Sequence, residues 1–402
     1  VNNLLQLQIS KFNRGTYISV EGKSDSDHFY IIQQGFVQCT KTSSSGITPI
    51  KFGPGDFVGV VSCMAGKTQV ETAIALTDVV AISVKKEQYP DLIVNNNPVA
   101  LKIIKTFAKK MRLMNEMLTK IALNSIVQNS YEQIFNNAQY YEKCKQLNIA
   151  VYGYYQYLKT KPTGPNAEIA KRKFIELKQK TNAVYFEPTN EAIRSYPKDT
   201  MIFSDFQRGA DMFIIQQGEV AITKIVDGKE ITLALLGRGD MFGEMALLEN
   251  KPRSANAIAH SDCSLMVVNI HNFNLMVSTQ PQMIAKLTTT LAERLWSMYR
   301  QIDNAAIQDP VNKMIDMLAL QMEKSKVSIH TNSQYQTTIT PQDLATMCGL
   351  SQNQQYKAIY DLQNWQNIKL VDNKIFIKDL YELSKQSAFL RKQSQEVQKD
   401  LR

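Results

Sequence analysis

Apolar and polar positions alternate over short runs in two separate parts of the chain. "HFYIIQQGFVQCTK" at 28–41 returns as "DMFIIQQGEVAITK" at 211–224, and "GPGDFVG" at 53–59 returns as "GRGDMFG" at 237–243. Period-two alternation with glycine-rich turns predicts short antiparallel strands closing into a small barrel or double-sheet roll. Two ordered matches at a nearly constant offset predict a duplicated β-domain.

The period changes to that of a helix after each copy. Ile104, Phe107, Met111, Met114, Leu118 and Ile121 follow the first. Ile284, Leu287, Leu291, Leu295, Met298, Ile302 and Ala305 follow the second. Alternating spacings of three and four make a helix-pairing seam, between two chains or between the two copies of one chain. Between the copies, residues 131–180 carry aromatics at helical spacing around a Pro-Thr-Gly-Pro turn. This stretch resembles one tetratricopeptide-type helical hairpin, with Tyr140, Tyr141, Tyr154 and Tyr157 as packing residues. One such unit cannot bury its own apolar face, so it is expected to pack on a neighbouring domain.

The C-terminal stretch changes again. "ITPQDLATMCGLSQNQQYKAIYDLQNWQNIKLVDNKIFI" reads as helix, Gly turn, helix and two short strands. Thr340 caps the first helix, Pro341 suits its first position and Asp343 its first turn. Ser351 caps the second. The order predicts a winged helix-turn-helix, whose second helix enters the major groove.

Length and composition add bounds. At 402 residues, two to four domains are expected. No apolar run approaches the ~20 residues of a membrane span, no signal peptide opens the chain, and Val1 implies a trimmed start. Cys39, Cys63, Cys144, Cys263 and Cys348 stand singly, which reads as reduced thiols in a cytoplasm without a zinc or iron–sulfur site. His28, His260, His271 and His330 offer no triad or metal spacing, so no enzyme is expected.

One stretch carries candidate chemistry. "FGEMALLENKPRSANA" at 242–257 sets Glu244 and Arg253 on either side of an apolar turn. A phosphate diester needs a guanidinium fork and free backbone amides, and a ribose hydroxyl needs a fixed acceptor. Gly243 permits close backbone approach, and Pro252 stiffens the return that presents Arg253. The stretch resembles the phosphate-binding cassette of the cyclic nucleotide-binding domain, with Asn256 where the family more often has Thr. The resemblance implies that Glu244 holds the ribose hydroxyl and Arg253 the cyclic phosphate. Gly243, Met245, Ala246, Ser254 and Ala255 would line the phosphate side. It also implies that the following helix caps the base, which nominates Met298 and Tyr299.

The first copy departs from the cassette. Val60 stands where Glu244 stands and Gln69 where Arg253 stands. Valine accepts no hydrogen bond and glutamine carries no charge, so this copy is expected to be structural or a dimerisation surface. "AGKT" at 65–68 is no phosphate loop, because Val61 sits where that motif needs glycine.

The second barrel followed by this C-terminal module resembles the catabolite activator (cyclic-nucleotide receptor, Crp/Fnr) family of transcription regulators over about 184–380. The first barrel and the helical hairpin are additions to it. The implied architecture is α+β: a degenerate β-roll with its helix at 1–125, a hairpin linker at 126–183, and a cyclic nucleotide-binding domain with a dimerisation helix at 184–308. A winged helix-turn-helix follows at 309–385, then a charged tail at 386–402. The implied ligand is cAMP or cGMP, or a cyclic dinucleotide, with no metal; the implied partners are double-stranded DNA and a second copy in a homodimer, in the cytoplasm.

On the reading helix the expected DNA-contact set is Ser351, Gln352, Asn353, Gln355, Tyr356 and Lys357, with Gln354 on the same helix. Gln and Asn read adenine bidentately, which suits an A/T-rich site. The net charge of +9 does not concentrate there. Residues 309–402 hold 12 Lys and Arg against 10 Asp and Glu, whereas 126–183 hold 9 against 4. Phosphate contacts dominate non-specific DNA affinity, so a second function is carried alongside the first. That alternative is a signalling adaptor whose hairpin and C-terminal module bind proteins.

Overall fold

The computed structural model describes residues 7–41, 49–123, 131–187, 189–226, 228–325 and 327–400. The boundary expected at 125/126 and the last two residues of the expected tail lie outside them. The chain divides into two compact units, 1–92 with 288–402, and 93–287.

The first unit opens with a β-roll. Its strands are β1 (Gln8–Phe12), β2 (Tyr17–Ser19), β3 (His28–Gln34), β4 (Val37–Thr40), β5 (Ile50–Phe52), β6 (Phe57–Val58), β7 (Thr72–Ala75) and β8 (Val79–Lys85). Two four-stranded sheets form, ordered β1-β8-β3-β6 and β2-β7-β4-β5, around a core that includes Ile32, Val37, Val58 and Ala81. The alternation seen in the sequence is the cause: on β3 Ile32 enters this core with Tyr30 packed against it, while Phe29 and Ile31 are buried on the opposite face of the strand. A short helix α1 (Val60–Ala65) follows β6, and α2 (Tyr89–Asn95) and α3 (Asn97–Leu123) follow β8.

The second unit holds α3, three helices, and a second roll. The three are α4 (Glu132–Lys143), α5 (Leu147–Lys159) and α6 (Pro165–Lys178), one more than the hairpin expected from the sequence. The Pro-Thr-Gly-Pro turn starts the third: Gly164 adopts φ 95 and Pro165 takes the first helical position. Tyr141, Tyr154 and Tyr157 are fully buried, and Met201 and Ile258 of the roll join their cluster. The expected packing on a neighbouring domain is thus observed.

The second roll comprises β9 (Ile193–Tyr196), β10 (Met201–Phe203), β11 (Asp211–Gln217), β12 (Val220–Val226), β13 (Lys229–Leu236), β14 (Met241–Phe242), β15 (Asn256–Ala259) and β16 (Cys263–Asn269). Its sheets, β9-β16-β11-β14 and β10-β15-β12-β13, repeat the first roll strand for strand. Helix α7 (Glu244–Glu249) fills the place of α1, and α8 (Ile270–Thr279) and α9 (Pro281–Ala305) follow.

Each long helix serves the other roll. Within the second unit α3 packs on α7, and Arg112 donates to Glu249 and, at 3.1 Å, to the Pro252 carbonyl. Within the first unit the later part of α9 packs on the first cassette: the Trp296 indole donates to the Thr68 carbonyl at 3.0 Å. Lys41 joins Glu21 at 2.7 Å and Asp303 of α9 at 3.0 Å. Leu291 and Leu295, the residues through which a homodimer was expected, are fully buried in the single chain.

The C-terminal part of the first unit contains α10 (Pro310–Lys324), α11 (Pro341–Met347), α12 (Gln352–Gln363) and α13 (Leu380–Asp400). A sheet ordered β17-β19-β18 comprises Tyr335–Gln336 (β17), Ile368–Val371 (β18) and Lys374–Ile377 (β19). The strand β17 adds to the two expected. Residues 386–400 are not a loose charged tail: α13 packs on α10, with Leu383 and Leu390 buried and Ser387 donating to Asp316 at 2.7 Å.

Candidate ligand site of the second barrel and exposed face of the C-terminal helix

The cassette between β14 and β15 is shaped by two left-handed residues. Gly243 (φ 82) precedes α7 and Asn250 (φ 52) ends it. A Cβ at Gly243 would lie 2.7 Å from an Arg253 nitrogen and 3.2 Å from the Asp211 carbonyl, so only glycine lets the arginine approach. Arg253 is 5% exposed, and its Nη1 donates to the Gly243 carbonyl at 2.8 Å. The guanidinium lies 4.2 Å from the centre of the Phe203 ring. Its Nε is buried without a hydrogen-bond partner. Burial lowers its pKa to about 10, with Asp211, Tyr152 and Glu244 opposing that fall, so it remains a cation at neutral pH.

A cavity of about 680 Å³ opens onto this guanidinium. Its walls come from α5 (Tyr152, Gln156, Lys159), the segment after α6 (Tyr185, Phe186), and the β10–β11 region of the roll. Arg194 of β9 joins Arg253 in the lining; it is 6% exposed, bonds the Thr189 carbonyl at 2.8 Å, and its Nε also lacks a partner. Asp211 lies 3.8 Å from Arg194, and Glu187 pairs with Lys159 at 2.6 Å. Those pairings leave Arg253 and the exposed Arg208 as surplus positive charge in a cavity with aromatic walls. Such a site takes an anion that carries a ring.

Of the residues expected at the ligand, Arg253 alone lines this cavity. Glu244 is 1% exposed and lies outside the lining, as do Gly243, Met245, Ala246, Ser254 and Ala255. Ser254 sits behind the cassette, its hydroxyl 3.6 Å from the Met245 sulfur. Asn256 in place of threonine has a structural reason. Its carboxamide oxygen accepts from the Asp205 amide at 2.8 Å, and its nitrogen donates to the Tyr141 hydroxyl at 3.3 Å. That second contact ties the roll to α4.

Met298 and Tyr299 correct an expectation. They belong to the unit of the first roll, where the Tyr299 hydroxyl donates to Glu71. Burial and the Glu71 carboxylate hold that phenol well above its usual pKa. The reason is the exchange of long helices, since α9 runs onto the first cassette instead of its own. In that first cassette Gln69 donates to the Asp25 carbonyl at 2.9 Å and Val60 is buried.

Arg194 was missed from the sequence, although a signal existed. On β9 the buried positions are Arg194 and Tyr196, while Ile193 is 58% exposed. A strand that turns an arginine inward and an isoleucine outward marks a charge kept for a purpose.

In the C-terminal part, Thr340 and Asp343 form a capping box on α11, Gly349 (φ 68) makes the turn, and Ser351 pairs with Gln354 at the start of α12. Asn353, Tyr356, Lys357 and Tyr360 are exposed on α12, Tyr356 at 76% and Tyr360 at 66%. Gln355 is committed to the Leu350 carbonyl at 2.9 Å, which takes its amide nitrogen from any base edge. The side chain of Gln352 lies outside those described.

Comparison with known proteins decides the nature of the rolls. A family model for the cyclic nucleotide-binding domain matches residues 9–96 and 193–280. The chain carries two cyclic nucleotide-binding domains. Over 161 residues, 40% of the chain, it is 29% identical to the cAMP-activated global transcriptional regulator CRP of Pasteurella multocida, covering 77% of that protein. Over 122 residues, 30% of the chain, it is 31% identical to the cyclic AMP receptor protein of Thermus thermophilus, spanning 56% of that relative's length. A solved CooA mutant from Carboxydothermus hydrogenoformans aligns over 48% of the chain and 87% of its own, at 19% identity and a TM-score of 0.42. Among the described residues no helix is long and apolar enough to cross a membrane, and no group of three or more His, Cys, Asp or Glu is placed to hold a metal.

Proposed function

We propose that the protein is a cyclic-nucleotide-responsive transcription regulator. The second domain binds the nucleotide, and the C-terminal α11–turn–α12 with its three-stranded sheet is a winged helix-turn-helix that binds DNA. The reading is carried by one observation: a buried cationic guanidinium, Arg253, facing a 680 Å³ aromatic cavity inside a domain of the cyclic nucleotide-binding family. Arg253 takes the phosphate. Glu244, 1% exposed, meets a ribose hydroxyl only if the cassette opens. The first domain is silent, its cassette covered by Trp296 and Tyr299.

Asn353, Tyr356 and Lys357 face outward on α12 and are the proposed base and phosphate contacts. The Pasteurella multocida relative named above is a transcriptional regulator, which supports DNA over a protein partner for this module. Leu291 and Leu295 are buried within the single chain, so the working unit is proposed to be a single chain. A gel shift with an A/T-rich duplex, with and without 1 mM cAMP or cGMP, tests the proposal. Retarded DNA whose midpoint moves on adding nucleotide supports it; no shift with any duplex in either condition favours the adaptor reading.

A further inference from the structure

The cavity of the second unit is not enclosed by the β-roll alone. Three of its wall residues, Tyr152, Gln156 and Lys159, come from α5, and two more, Tyr185 and Phe186, from the segment that leads from α6 into β9. The floor is supplied by the roll, with Arg194 and Arg253 among its residues. Tyr152 and Phe186 stack with ring centres 5.9 Å apart and planes at 24°. Tyr185 and Tyr196 lie 4.8 Å apart, and Tyr185 also faces the Arg194 guanidinium at 5.8 Å.

Two buried guanidiniums without a full set of acceptors are costly unless something anionic completes them. Arg253 has five N–H donors and bonds the Gly243 carbonyl; Arg194 bonds the Thr189 carbonyl; the Nε of each is unpartnered. Buried polar atoms with no partner are uncommon in native proteins and ask for an explanation such as an absent ligand. A cavity of about 680 Å³ falls within the roughly 300–1,000 Å³ of small-molecule sites. Its aromatic side is formed by the helical segment, its cationic side by the roll.

We propose that the helical segment is the lid of the nucleotide site: phosphate on Arg253 and Arg194, base against Tyr152, Tyr185 and Phe186. The inference rests on the nucleotide reading of the second domain and names the residues that cover its ligand. It assigns the base to an element outside the β-roll and its following helix. Gln156 donates to the Phe186 carbonyl at 2.9 Å within the lid, and Gln207 of the roll donates to the Tyr152 hydroxyl at 3.2 Å, so the lid is held to the roll by a bond that a ligand can reorganise.

Photolabelling of the full chain with 8-azido-cAMP and 8-azido-cGMP tests the assignment without any substitution. Labelled peptides containing Tyr152, Tyr185 or Phe186 are expected; label confined to α9 or to the cassette overturns the lid. Calorimetry with the parent nucleotides separates the lid from the reading beneath it. Phe186→Ala, a half-buried side chain whose loss spares the roll core, and Arg194→Gln are each expected to weaken binding at least tenfold. Arg253-dependent binding that Phe186→Ala and Arg194→Gln leave within twofold overturns the lid and leaves the nucleotide reading intact. Absence of any binding by the unmodified chain overturns both.

Discussion

The hydroxyl of Tyr299, on the helix that follows the second β-roll, donates to Glu71 in the cassette of the first. Three residues earlier on the same helix Trp296 donates to Thr68, so α9 closes the first cassette at two points. Arg112 of α3 meets the second cassette at Pro252 as Trp296 meets the first at Thr68, so what separates the two is Gln69, bonded to the Asp25 carbonyl at 2.9 Å, in the place of Arg253. One nucleotide per chain is expected, and Gln69→Ala is expected to leave affinity unchanged. Equilibrium dialysis that gives two sites, one of them sensitive to Gln69→Ala, contradicts the closure.

A second expectation concerns mass. Leu291 and Leu295 are fully buried within the single chain, so light scattering should give about one chain mass at micromolar concentration. Leu291→Glu with Leu295→Glu should then unfold the protein by placing two carboxylates in a core, a loss of several kcal/mol. A stable dimer that the same double variant converts into a folded monomer would place the seam between chains instead.

Burying Arg253 costs the fold stability. Its pKa, lowered to about 10 from 12.5 by burial, corresponds to a destabilisation of roughly 3 kcal/mol before its ring contact and Gly243 bond offset part of it. A cation whose folded-state pKa is depressed carries this cost in full below the folded value and loses it as pH rises from about 10 towards 12.5. Arg253→Met is therefore expected to match or exceed the unmodified apo-protein in urea stability, by up to ~2 kcal/mol and evenly between pH 6 and 9. A variant less stable by more than ~1 kcal/mol would make Arg253 a structural residue.

Asn256 joins the cassette strand to Asp205 of the β10–β11 turn and to Tyr141 of the helical segment. Asn256→Ala leaves the buried Asp205 amide without that acceptor and should cost about 2 kcal/mol in urea denaturation, with Asn256→Thr recovering part. Equal stability of all three would show that the contact contributes nothing.

On α12, Lys357→Ala should weaken A/T-rich and random duplexes alike, by less than ~1 kcal/mol, and flatten the salt dependence by about one ion. Asn353→Ala should reduce discrimination between the two duplexes. Titrations at two salt concentrations, followed by fluorescence anisotropy, separate the two effects.

How far these features could be read from the chain depends on where their information lies. The duplicated roll was legible because alternation at 28–41 and 211–224 is local, and strand pairing followed the same register in both copies. Arg253 and the left-handed Gly243 were legible because the cassette is contiguous. The destination of each long helix was not, since the spacing of Leu291 and Leu295 shows that a face is buried and says nothing of what buries it. Tyr299 was misplaced for that reason. The cavity was illegible because Tyr152, Phe186 and Arg194 meet only after three helices dock on a barrel, although the inverted alternation at Ile193–Arg194 marked one of its members.

Calorimetric titration of the unmodified chain and of Arg253→Ala with cAMP, cGMP and cyclic di-GMP tests the central claim most directly. Saturable binding of one of these nucleotides near one per chain is expected, weakened by more than ~2 kcal/mol in Arg253→Ala because a buried phosphate loses its charged partner. No heat with any of the three, or equal affinity in the variant, would contradict it.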